Sequence, residues 1–401
     1  MAELNFLDPA FLEDPYPAYH RLRAEDPVHR HPLGFYVLTR YDDVAGFLRD
    51  GRFGKGGYQA LFESRFGSGP DGPWLPMSML FRDPPDHTRL RALVSKAFTP
   101  RVVEGLRAHI QAIVDRLLDG LAGAGRVDVV EALAYPLPVT VISELLGVPA
   151  GDSETVKVWS RDVARALDAI ALPVAPEVIE RGSRATEEIA QYFRGLVEER
   201  RRRPGDDLLS GLVEAEEAGD RLSERELLAT CLLLYVAGHE TTVNLIGNGL
   251  LILLRHPAER RRLEADPGLL PGAIEELLRY DGPVQRVGRM ASRDAEIAGV
   301  QIPQGSLVLG LLGAANRDPA HFPEPDRLDL GRDQPRHLAF GSGIHYCLGA
   351  PLARIEAQVA IGTVLRRFPA LALAAERPVW RPSSTLRGLE ALTVVLGNGR
   401  A

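Results

Sequence analysis

Apolar positions along most of this chain recur every three to four residues, the spacing that gives a helix one buried face. That pattern predicts helices over residues 42–48, 85–98, 100–122, 138–146, 153–170 and 176–202. The last of these ends in an arginine run before Pro204-Gly205, which suits the negative end of a helix dipole. Ser223-Glu224-Arg225-Glu226 reads as a capping box, and the helix it opens has no reason to stop before Arg255. Such a helix is about 48 Å long, enough to cross the molecule. Strand signals are sparse: a hairpin over 28–39, and short pieces at 295–302, 307–311 and 392–396. Residues 51–74, glycine-rich with scattered aromatics, read as a long irregular loop, and 316–335 has no period at all. No repeat and no linker divides the chain. The expected fold is mainly α with a minor β portion, one large domain over residues 1–401.

The middle of the long helix runs LLLYVAGHETTVNLIGNGLLILL. Its flanks are almost uniformly apolar, so the helix is expected to be buried. Gly238, His239, Glu240, Thr241 and Thr242 interrupt it. A buried glutamate is costly unless paired, and a mid-helix glycine weakens the ladder. A polar face turned to solvent would give the same residues, but the apolar neighbours argue against it.

Composition narrows the classes. The 401 residues are 45% apolar and 25% charged with a net charge of −7, which argues against nucleic acid as the main partner. Lysine occurs only at Lys55, Lys96 and Lys157; the arginine bias reads as genome composition. Two cysteines cannot build a disulfide framework. The N-terminus lacks a basic start followed by an apolar run, and the longest apolar stretch, 227–238, is too short to span a bilayer. A soluble cytoplasmic protein, a monomer with no membrane partner, is expected.

The most specific signal comes late. Phe340, Gly341, Gly343, His345, Cys347, Gly349, Leu352, Ala353 and Arg354 stand in the order F-G-x-G-x-H-x-C-x-G-x-x-L-A-R. A thiolate at the start of a helix is favoured by the dipole and by free backbone N–H groups. The glycines let the loop turn tightly, and Gly349 omits a side chain where a flat ligand would collide. A bland buried cysteine explains neither the glycines nor His345.

This segment resembles the haem-binding loop of the cytochromes P450, the haem-thiolate monooxygenases, and the resemblance covers essentially the whole chain. It implies the cytochrome P450 fold, with the long central helix over a haem b (iron protoporphyrin IX) whose iron is held by Cys347. It implies that Phe340, Gly341 and Gly349 shape the loop and that His345 meets a haem propionate. A-G-x-[DE]-T, the oxygen-activation pattern, matches 237–241: Ala237 and Gly238 over the haem, Thr241 holding bound oxygen or a water beside it, and Glu240 relaying protons. His239 takes no role. His87 and Arg91, alone no more than a surface pair, match the H-x-x-x-R propionate ligands, with Arg289 a third cation and Arg89 pointing away. Glu276 and Arg279 form an E-x-x-R, in isolation indistinguishable from a surface ion pair; the family's three-residue cluster maps onto Glu276, Arg279 and Arg327, although Leu328 stands where an aromatic is usual.

The same resemblance puts Leu80, Val236, Ala237, Val284, Val287 and Leu386 around the substrate, or equally in the core. All are apolar, so a lipophilic natural-product scaffold such as a macrolide, terpenoid, steroid or fatty acid is expected, with O2 as co-substrate. No flavin or iron–sulfur motif is present, so electrons are expected from a ferredoxin with its reductase. Arg89, Lys96, Arg101, Arg107 and Arg354 could form its docking patch, or could be scattered solvated charges. Two rivals stand: a non-catalytic haem sensor or carrier, which has no need of Glu240 and Thr241, and a cysteine hydrolase, which lacks a third orienting group.

Overall fold

Ser223 Oγ accepts from the Glu226 N–H and the Glu226 carboxylate accepts from the Ser223 N–H, so the capping box forms as its sequence requires. From it a single helix runs Glu224–Arg255 and stops before Pro257. In this computed structural model, described for residues 4–67, 74–121, 123–217, 222–333, 336–374 and 377–397, that helix is the axis of the fold. Helices Pro136–Leu145, Ser153–Ala166, Pro176–Arg202, Leu270–Asp281 and Ala350–Arg367 pack around it. Leu227, Leu232, Tyr235, Ile246, Leu250 and Leu253 are all buried, so several of its faces meet protein. An amphipathic helix needs a single apolar stripe; this one needs apolar residues nearly all round.

The strands form a minor β portion split among separate sheets. Its largest sheet has the order Val28–Arg30, Tyr36–Leu38, Leu307–Leu311, Arg286–Ala291, Phe53–Gly54. The N-terminal hairpin pairs Val28 with Leu38, and strand Tyr36–Leu38 runs parallel to Leu307–Leu311. Arg286–Ala291 lies between Leu307–Leu311 and Phe53–Gly54, antiparallel to both. Smaller pairings join Ala295–Ile297 to Val300–Ile302 and Thr393–Val395 to Arg126–Asp128.

Two expectations need correction. Residues 51–74 are not one irregular loop: Tyr58–Phe66 is a helix. Tyr58 and Phe62, four apart, both pack on Phe81, so the scattered aromatics were a helical stripe. Residues 68–73 of that stretch lie outside the described residues. The single helix expected over 100–122 is two, Pro100–Gly105 and Arg107–Asp119. The break follows Gly105, a weak helix former, where the Leu106 N–H turns back to Val103.

The unperiodic stretch from Asn316 is held by a buried cation rather than by secondary structure. Arg279 donates to the carbonyls of Asn316, Pro325 and Arg327 at 3.0, 2.8 and 3.3 Å. Residues 334 and 335 lie outside the described residues.

Candidate active site

The cysteine loop is built from two left-handed glycines. Gly341 has φ +71° and Gly343 φ +73°, and a Cβ on Gly343 would sit 2.6 Å from the Leu48 carbonyl oxygen. Only glycine meets both demands there. The Cys347 N–H donates to the Phe340 carbonyl at 3.0 Å and closes the loop. The following helix begins at Ala350, so Gly349 is its cap rather than a residue inside it, and a Cβ there would meet no protein atom within 4 Å. Arg354 pairs with Glu275 at 2.7 Å and lies over the Phe340 ring, which fixes the aromatic flank.

Cys347 is exposed on one side and crowded by protein on the others. Desolvation pushes its thiol up, against the pull of the Gly349 and Ala350 N–H groups and the charges of Arg91 and Arg354. Cys231 contrasts with it: fully buried, its thiol is pushed up to about 12, the mark of an inert core cysteine.

Beside this loop lies a cluster of cations. His87 and His345 stack obliquely with ring centroids 4.3 Å apart, and neither His87 nitrogen nor His345 Nε2 has a hydrogen-bond partner although all are buried. Arg289 is buried, and its guanidinium donates to the Gly288 carbonyl. Arg91 donates to the carbonyls of Ile344 and Tyr346 at 3.0 and 2.7 Å. Burial, then Arg289, Lys55, His87 and Arg91 in turn, push His345 down to about 2. Buried polar nitrogens without partners and cations without carboxylates are both expensive. A group bearing two carboxylates relieves both, which is what haem propionates offer; the residues present fit it.

The long helix has a window. Ala237 is exposed and Gly238 and Thr241 partly so, within an otherwise buried run. Thr241 Oγ1 donates to the Ala237 carbonyl at 3.1 Å. Gly238 answers a second need, since a Cβ there would lie 2.9 Å from Ile142 on the neighbouring helix. Glu240 is buried and ion-paired with Arg381 at 2.8 Å. Burial alone would raise its carboxyl, but His239, Arg381 and Arg161 outweigh burial and hold it at about 2. His239 is fully buried, with Nε2 3.0 Å from Ser160 Oγ and Nδ1 2.7 Å from the Tyr235 carbonyl. Arg381 and Asn244, whose amide has no partner, line the same cleft as Glu240; sequence reasoning found neither. Both act across long sequence separations, and nothing local marks them.

The ion-pair cluster differs from expectation in one member. Glu276 and Arg279 are fully buried and joined by two bonds of 2.7 and 2.8 Å. The third member is Arg332, 3.2 Å from Glu276, and not Arg327. The Arg327 side chain is 60% exposed and pairs with Glu324; only its carbonyl faces the cluster. A turn over 329–332 explains the swap: Asp329 N–H bonds Glu276, and Arg332 follows it inward.

Among the apolar candidates, Val284 bridges to Leu386, which lines the Glu240 cleft. Val287 is half-buried on the strand carrying Arg289, and Leu80 is 39% exposed. Val236 is turned into the main core. In the basic patch, Arg89 pairs with Glu226, Arg107 with Glu104 and Arg354 with Glu275, while Lys96 and Arg101 stand exposed. The pairing of Arg89 ties it to the start of the long helix.

A buried helix with a polar window, a glycine-shaped cysteine loop and a cation cluster define a haem-thiolate oxygenase site. The sequence model of the family described as Cytochrome P450 matches residues 28–266 and 268–385, and the chain belongs to that family. It is 47% identical over 409 residues to cytochrome P450 107B1 of Saccharopolyspora erythraea, covering 98% of this chain and 97% of that one. The same organism's 6-deoxyerythronolide B hydroxylase is 42% identical, covering 96% and 97%. The crystal structure of myxobacterial cytochrome P450 CYP267B1 in complex with myristic acid superposes with a TM-score of 0.91 at 44% identity, covering 98% of each chain. The chain is a cytochrome P450 monooxygenase with a haem-thiolate cofactor. No helix among the described residues is long and apolar enough to cross a membrane.

Proposed function

We propose that this chain inserts one oxygen atom from O2 into a C–H or C=C bond of a lipophilic natural-product scaffold, working as a cytoplasmic monomer with haem b and a ferredoxin. The observation that carries the cofactor reading is the cation cluster: partnerless nitrogens on His87 and His345 beside Arg289 and Arg91. When bound, thiolate-ligated haem supplies dioxygen activation. Cys347 would hold the iron, and Phe340, Gly341 and Gly349 would shape its loop. Arg289, His87, Arg91 and His345 would take the propionates.

Thr241 presents a hydroxyl at the helix window, beside Ala237 and Gly238. Glu240 is charge-paired with Arg381 through Oε2 while its buried Oε1 has no hydrogen-bond partner, and it would relay protons inward. Val284, Val287, Leu386 and Leu80, with Ala237, give an apolar lining; a relative named for hydroxylating 6-deoxyerythronolide B and a neighbour crystallised with myristic acid support a macrolide-like or fatty acyl substrate. Lys96 and Arg101 are exposed cations of a ferredoxin-facing patch.

Replacing Cys347 by Ser tests the reading directly. The thiolate-type carbon monoxide spectrum and product formation from O2 should both disappear; survival of either would refute the ligand assignment. Lipophilic compounds that displace iron-bound water, seen as a Soret shift, would identify the substrate class.

A further inference from the structure

Lys55 is one of three lysines in a chain that otherwise uses arginine, and it is buried at 5% exposure just after strand Phe53–Gly54. Its ammonium donates one hydrogen bond, to the Gly288 carbonyl at 2.8 Å, and lies over the rings of Tyr58 and Phe81 at 4.2 and 5.1 Å. An ammonium has three N–H groups, so this environment leaves donors to spare. The nearby Asp83 favours its charge without pairing with the ammonium. Both Asp83 carboxylate oxygens are taken up by the Lys55 backbone N–H, each at 2.8 Å. Among the described residues no carboxylate lies within ion-pair distance of the Lys55 ammonium, of Arg289 or of Arg91.

The charge balance is specific. Lys55, Arg289 and Arg91 are three cationic side chains around His345 and His87, and Asp83 supplies one negative charge. Lys55 and Arg289 are buried, where an unpaired ion is costly, and Arg91 stands partly exposed beside them. We infer that Lys55 is a further haem-edge cation, its ammonium compensating a propionate. This rests on the haem b reading above, since the two carboxylates of protoporphyrin are what complete the balance. Burial first, and then the Arg289 charge, push the Lys55 ammonium well below its usual range, as expected for a cation waiting on an anion.

Haem transfer from the ferric holoenzyme to excess apomyoglobin, followed at the Soret band, tests this with Lys55→Met and Lys55→Arg. Removing one charge pair of this kind should speed haem loss about tenfold in Lys55→Met, with Lys55→Arg close to wild type. With haem dimethyl ester, which has no propionate charge, wild type and Lys55→Met should lose the ligand at equal rates. The Lys55→Met apoprotein should unfold no earlier than wild-type apoprotein, since an unpaired buried cation has been removed. Equal rates with ordinary haem, or an equal acceleration with the ester, would overturn the assignment while leaving the haem b reading intact. Absence of a Soret band in the wild-type protein loaded with haem would overturn that reading and this one together.

Discussion

Replacing Arg332 by Ala should destabilise this protein by about 2 kcal/mol, whereas replacing Arg327, five residues earlier, should cost about 0.5 kcal/mol or less. Arg332 touches Glu276 at 3.2 Å and donates to the carbonyls of Pro323, Glu324 and Arg327. Its side chain is 14% exposed, and Glu276 is buried. Stripping a buried charge of its only partner costs about 3–5 kcal/mol. Here Arg279 still holds Glu276 by two bonds, so the loss is closer to that of one hydrogen bond to a charged group, about 1.5–3 kcal/mol. Among the described residues the Arg327 side chain pairs with Glu324 alone, three residues away and exposed. Urea denaturation of the haem-loaded variants, followed by far-ultraviolet circular dichroism and Soret absorbance together, measures both; coincidence of the two signals guards against cofactor loss preceding unfolding. Should Arg327→Ala prove as costly as Arg332→Ala, the placement of Arg332 in the cluster is wrong.

Two further expectations follow from the site. Glu240 titrates at about 2 when folded, below its ordinary 4.5, so its contribution to stability is fully present above about pH 4.5 and is lost as pH falls toward 2. The stability gap between wild type and Glu240→Gln should therefore narrow on acidification; a gap that widened below pH 4.5 would contradict the ion pair with Arg381. Gly343→Ala forces a left-handed backbone on alanine, at about 1–2 kcal/mol, and also drives its Cβ against the Leu48 carbonyl. It should lower the melting temperature and weaken haem retention, and wild-type behaviour in both would show that the loop does not have this geometry.

Periodic apolar runs placed the helices well. The helix Pro176–Arg202, the capping box at Ser223 and the strand Leu307–Leu311 have the bounds expected of them. Their signals are local: spacing, a cap, a flanking proline. Where reading failed, the decisive contact was remote. The stripe Tyr58, Phe62 and Phe66 was hidden among glycines, and its helix is stabilised by packing on Phe81. The choice between Arg327 and Arg332 turned on the path of an unperiodic stretch that Arg279 pins from another helix.

By itself the sequence determined the chemistry around Cys347. A loop of two left-handed glycines, a histidine and a thiol must be encoded within a few consecutive residues, because each acts through its own backbone. Only the tertiary structure decided which charges meet. Glu240 finds Arg381 across 141 residues, Glu276 finds Arg332, and Lys55 is brought beside Arg289 by one sheet edge. Burial makes those pairings costly to leave incomplete, and burial is a property of the fold rather than of any local stretch of chain.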